Sequence, residues 1–174
     1  MKIVRSLALI GALALLALAV AVVQNGQAQQ QADAHKFIGT EQCKMCHKNI
    51  YDTWLTTDHA KAFDILPKES QANMTCLGCH ATGAGKAGGY DPKAEKNLGL
   101  TGVGCEVCHG AASDYKMVHM KDKAKAATLG MVVQPTADNC KLCHAGKVPE
   151  GHKPLPPFDF TKAWLKIEHH LPKK

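Results

Sequence analysis

Cys76-Leu77-Gly78-Cys79-His80 is the stretch that decides how this chain folds. In a Cys-x-x-Cys-His stretch the two thiols are spaced to form thioethers with both vinyl groups of one haem, and the adjacent imidazole reaches the iron from one side. The same pattern recurs at Cys43, Cys46 and His47, at Cys105, Cys108 and His109, and at Cys140, Cys143 and His144. A single match is compatible with a zinc knuckle or a redox dithiol. Four matches use all eight cysteines and leave none for a separate disulfide framework. The cofactors expected are therefore four covalently attached haem c groups, with iron bound by His47, His80, His109 and His144. For the second site, around His80, no sixth ligand stands out.

The rest of the composition fits a chain that needs those groups in order to fold. The 174 residues hold four Phe, three Tyr and two Trp, too few large apolar side chains for an ordinary core. Porphyrins supply the missing apolar volume and cross-link the backbone. The expected fold is mainly α with low secondary-structure content, short helices and loops wrapped around four covalently bound haems. The formal charge of +6 suggests an anionic partner until the haems are counted. Their propionates and ferric irons shift the total by roughly −4, which leaves the holoprotein close to neutral. No basic stripe interleaved with aromatics is present, so nucleic acid is not an expected partner.

Lys2 and Arg5 precede an apolar run, Ser6 to Val23, that is followed by a polar stretch with small residues. This is the pattern of an export signal over residues 1–34, cleaved after Ala28 or Ala34, the alternative being an uncleaved N-terminal anchor. Either way the chain is expected to be exported to the periplasm or cell exterior, where haem c is attached. Contact with a membrane is expected only through such an anchor. The tetrahaem domain then occupies residues 35–174.

The intervals between first cysteines differ (43 to 76, 76 to 105, 105 to 140) and the flanking sequences are unlike, so the sites are not a tandem repeat. Tyr51, Trp54 and Leu55 recur at helical spacing after the first site. Asp58 is placed to cap a second helix in which His59, Phe63 and Leu66 share a face, with Pro67 beyond its end. Ser113 or Asp114 is placed to cap a helix from Tyr115 towards Leu129, in which Tyr115, Val118 and His119 share a face. His59 and His119 are thus candidate iron ligands. The glycine-rich stretch Ala81 to Tyr90 neither follows a strand nor opens a helix, which argues against a phosphate loop; its glycines are expected to let backbone run close to a porphyrin. A last helix starts near Thr161. Continued helical periodicity puts His170, more than His169, on its apolar face.

Three longer strings carry a family resemblance. They are the first haem motif with Trp54 and His59-Ala60-Lys61-Ala62; Cys76 to His80 with Gly83, Gly85 and Gly88-Gly89-Tyr90; and Leu100-Thr101-Gly102-Val103-Gly104-Cys105-Glu106 through Cys108-His109-Gly110. In them the sequence resembles the tetrahaem cytochrome c-554 family, periplasmic electron carriers associated with hydroxylamine oxidation in ammonia-oxidising bacteria. The resemblance implies axial pairs of His47 with His119, His144 with His59, and His109 with His169 or His170. It also implies a five-coordinate haem on His80, covered by Phe158 from the loop Pro154-Leu155-Pro156-Pro157-Phe158. The sequence departs from the family in an adjacent C-terminal histidine pair and in carrying His152 and His35, either of which offers a sixth ligand for that haem.

The function these features imply is electron transfer through closely packed, mostly bis-histidine haems. Expected partners are redox proteins: other cytochromes, oxidoreductases or a quinone-linked membrane cytochrome. Two alternatives stand beside it. An open iron on His80 would suit reduction of a small ligand such as nitric oxide, and a histidine donated between subunits, with His35 the candidate, would suit a homo-oligomer or conductive filament.

Overall fold

Short helices and tight turns make up residues 35–169, the part of the chain that this computed structural model describes. The α-helices are α1 (Thr40–Lys44), α2 (Lys48–Leu55), α3 (Met74–His80), α4 (Cys105–His109), α5 (Lys123–Thr128), α6 (Ala137–His144) and α7 (Phe160–Ile167), with a 3-10 turn at Lys68–Ser70. Among the described residues β-pairing is confined to one isolated bridge, Ala81 to Thr101. The fold is thus mainly α with little regular structure. Residues 1–34, where an export signal is expected, and His170 lie outside the described residues.

Helices of eight residues or fewer are not stable alone in water, so each needs a local device and a tertiary anchor. Asn73 caps α3 by accepting the Thr75 N–H at 2.9 Å. At the start of α6 the Asn139 side chain accepts the Thr136 N–H at 2.8 Å. Asp122 caps α5 through the Lys125 N–H, and Asp159 caps α7 through the Lys162 N–H. Three of these helices end on a motif histidine: α3 on His80, α4 on His109 and α6 on His144. The first site bridges α1 and α2, with His47 as the residue that precedes α2.

Two expected helices are not formed. Asp58 to Ile65 is a run of turns. The His59 carbonyl accepts the Ala62 N–H at 3.3 Å in a tight turn and the distant Val103 N–H at 2.9 Å, and Thr57, not Asp58, offers its hydroxyl to the Ala60 N–H. Ser113 to Lys121 is likewise a run of turns. Ser113 and Asp114 are engaged with the chain ahead of the first site: Ser113 Oγ accepts the Lys36 N–H at 2.9 Å and Asp114 Oδ2 lies 2.7 Å from His35 Nδ1. Helix resumes only where Asp122 caps α5.

The apolar clusters are small. One joins Leu77, Ala81, Tyr90 and Leu100 with Phe37, Phe63 and Leu66 against them; the other joins Ala112, Tyr115 and Ala126. Between the clusters run two polar pins. Thr82, fully buried, donates its hydroxyl to the Gly102 carbonyl at 2.8 Å and accepts the Gly104 N–H at 2.9 Å. Glu106, also buried, accepts the backbone N–H groups of Ile38, Gly39 and Ala112 at 2.8–3.1 Å. Its carboxyl is pushed up by burial, and these three donors pull it back down.

The glycine-rich stretch after the second site is crowded by protein. A Cβ on Gly83 would strike the Phe37 ring at 2.6 Å, and one on Gly89 would strike the Gly83 carbonyl. These glycines admit Phe37 and let the loop close on itself.

Candidate metal centres

Eight of the ten histidines of the sequence come together in twos, each pair joining a motif histidine to one from elsewhere. His47 and His119 have ring centroids 5.3 Å apart, with Nε2 facing Nε2 at 3.0 Å. His144 and His59 are 5.9 Å apart, His109 and His169 5.8 Å, and His80 and His152 6.3 Å. Among the described residues no three His, Cys, Asp or Glu converge as a metal cluster. Donors in twos suit the opposed axial positions of a haem better than the closed tetrahedron of a structural zinc site.

Backbone carbonyls orient these rings. Nδ1 lies 2.5 Å from the Ala62 oxygen in His80, 2.8 Å from the Val132 oxygen in His109, 2.7 Å from the Lys116 oxygen in His119 and 2.5 Å from the Lys153 oxygen in His152. A carbonyl can only accept, so Nδ1 carries the proton and Nε2 keeps its lone pair, the form that binds iron. Burial lowers the pKa of His47, His59 and His109, with the partner imidazole adding to the effect in each. Such rings stay neutral and ready as ligands. His47 Nδ1 is buried with no hydrogen-bond partner.

None of the eight cysteines is joined to another in a disulfide, and they approach one another between sites. Cys43 lies beside Cys105, and Cys79 beside Cys143; Cys108 is near Cys140. Met45 and Leu142, the apolar residues inside the first and fourth motifs, are 72% and 76% exposed. Cysteines outside any disulfide, opposed imidazoles and exposed apolar side chains at the motifs together fit covalently held porphyrin.

Comparison with known proteins agrees. A family model described as "Cytochrome c554 and c-prime" matches residues 42–110. Cytochrome c-554 of Nitrosomonas europaea is 36% identical over 123 residues, 62% of this chain and 51% of that protein. The solved structure of reduced cytochrome c554 from the same organism aligns with a TM-score of 0.57 and 29% identity, over 76% of this chain and 78% of that one.

The chain is similar to the cytochrome c-554 family over residues 42–110. The cofactor that follows is covalently bound haem c with its iron. The chain spans about half the length of the curated relative, 51%.

Two ring placements differ from what the family resemblance implies. Phe158 stacks on His144, with centroids 5.1 Å apart and planes 17° from parallel, and its loop lines a cavity of about 450 Å³ with Lys141, His144 and Val148. The ring beside His80 is that of His152. At the C-terminus it is His169 that meets His109. Helical periodicity favoured His170, but α7 stops at Ile167 and Glu168 is extended, so the facing rule no longer applies there. The roles of Glu106 and Trp54 were not legible beforehand. Trp54 Nε1 donates to the Val103 carbonyl at 2.9 Å, which holds the segment that in turn binds the His59 backbone. A tryptophan inside a short polar helix was the available signal.

Proposed function

We propose that the chain is an exported tetrahaem cytochrome that relays electrons between redox proteins in the periplasm or at the cell exterior. One observation carries this proposal: imidazoles in opposed pairs, beside attachment cysteines that approach one another from site to site. The proximity of Cys79 to Cys143, of Cys140 to Cys108 and of Cys105 to Cys43 supports a continuous order of sites, second, fourth, third, first. Haem iron with two axial imidazoles cycles between ferric and ferrous without taking a substrate. The proposed axial pairs are His47 with His119, His144 with His59, and His109 with His169. The residues Cys43, Cys46, Cys76, Cys79, Cys105, Cys108, Cys140 and Cys143 would hold the four groups.

The protein's own contribution is orientation. Carbonyls at Val132 and Lys116 fix the tautomers of His109 and His119, and short capped helices set the attachment thiols. Other cytochromes, oxidoreductases or a quinone-linked membrane cytochrome are the partners this chemistry suits.

The test is a reductive titration of purified mature protein, with haem content measured on the same sample. Uptake of four electrons per chain, reversible on reoxidation and exchanged with a second cytochrome, is the expected result. A protein that carries haem but exchanges no electrons with any c-type cytochrome would remove the proposal.

A further inference from the structure

We infer that His152 is the sixth ligand of the haem attached at Cys76 and Cys79, so that the iron on His80 is closed on both faces. The inference rests on haem attachment at that site and extends the proposed function to its one undetermined axial position.

Pairing is the first ground. Three motif histidines each meet one partner imidazole at 5.3–5.9 Å between centroids, and His80 meets His152 at 6.3 Å. Its interplanar angle, 61°, is close to the 69° of the His109 and His169 pair. The second ground is the orientation in which each ring is held. Both Nδ1 atoms face backbone carbonyls, Ala62 for His80 and Lys153 for His152. Each ring therefore has its Nε2 left as the atom available to a metal ion.

The third ground is how His152 is delivered. The His152 N–H donates to the Pro149 carbonyl at 3.1 Å, closing a four-residue turn whose third residue, Gly151, has φ +84°. That is the conformation a type II turn requires of its third residue. A Cβ at Gly151 would meet nothing within 4 Å, so glycine is there for its backbone angle and not for space. The turn lies in a proline-rich segment without helix, which fixes its course by restricting φ. Competing groups are otherwise engaged: His35 is bound to Asp114, and Phe158 is stacked on His144.

A closed second site leaves the iron no position for nitric oxide or carbon monoxide, and makes this haem a relay like the others. The experiment uses the holoprotein with its haem content measured first. Wild-type ferric protein carrying four haems is expected to show only low-spin iron by electron paramagnetic resonance, and the ferrous form is expected not to bind carbon monoxide. His152→Ala is expected to turn one haem in four high-spin and to bind one carbon monoxide per chain, with added imidazole restoring the low-spin signal. Wild-type protein with four haems, one of them high-spin or carbon monoxide-binding, overturns the inference even if the variant fails to accumulate. A His152→Ala protein whose four haems all stay low-spin also overturns it. A wild-type chain with fewer than four haems overturns the tetrahaem reading beneath it, which separates the two failures.

Discussion

His47 and His119, 72 residues apart in sequence, face each other Nε2 to Nε2 at 3.0 Å. The Lys116 carbonyl, 2.7 Å from His119 Nδ1, fixes the tautomer that turns a lone pair towards His47. Replacing His119 with Met keeps a ligand of reach but changes its chemistry from imidazole to thioether, which favours ferrous iron. The expected outcome is a rise in one haem potential on the order of 0.1 V, a small part of the roughly 0.8 V that axial ligands span. Spectroelectrochemistry of wild type and His119→Met checks it, and four unmoved potentials would exclude His119 as a ligand.

Glu106 ties the segment before α1 to the third haem motif. Its carboxylate takes three backbone N–H donors in a buried position. Glu106→Ala leaves those donors without a partner and should cost about 2–3 kcal/mol, since hydrogen bonds to charged groups and buried unsatisfied donors each fall in that range. Glu106→Gln keeps the shape, but one of its two acceptor oxygens becomes an N–H donor that meets N–H groups, so about 1–2 kcal/mol is expected. Guanidinium unfolding followed by circular dichroism would separate the two. If both variants unfold with the wild type, the pin contributes nothing.

How much of this was legible beforehand follows from what each signal depends on. The attachment sites are local: five consecutive residues define each, so their chemistry survives whatever the surroundings do. His59 and His119 were assigned to helix faces, and both lie in turns instead. They were singled out because apolar residues accompany them, and that company persists: Phe63 and Leu66 pack on the first cluster, and Tyr115 lies in the second. The periodicity argument failed where a distant backbone group claimed a helical carbonyl, as Val103 does at His59. It failed again at His169, where α7 ended before the rule could be applied. Glu106 and Thr82 were opaque because their partners are backbone amides far away in sequence, and no spacing rule announces those.

His35 was a candidate for donation to a neighbouring subunit, yet its Nδ1 is 2.7 Å from Asp114 Oδ2, and its ring lies where a Cβ on Gly130 would be, at 2.8 Å. Both contacts are within this chain. His35→Ala should therefore leave the haem spectrum and the sedimentation profile of the purified mature protein unchanged. A loss of higher-order assemblies in that variant would revive the donated-histidine alternative.

Gly102 controls the position of His59 through the backbone alone. Its φ is +76°, and an added Cβ would come within 2.6 Å of the Ala60 carbonyl oxygen and 2.8 Å of that of His59. Left-handed backbone at a non-glycine residue costs roughly 1–2 kcal/mol, and the clash adds to it because both atoms met are backbone. Relief requires the Gly102-Val103 segment to move away from His59, which lengthens the 2.9 Å bond from the Val103 N–H to the His59 carbonyl. His59 would then draw back from His144, now 5.9 Å away between ring centroids. Gly102→Ala should thus lower stability and also disturb one haem, the one attached at Cys140 and Cys143. The expected signature is a partial high-spin signal in a protein that still holds four haems. A variant that is destabilised with all haems still low-spin would show that Gly102 serves packing and not ligand position.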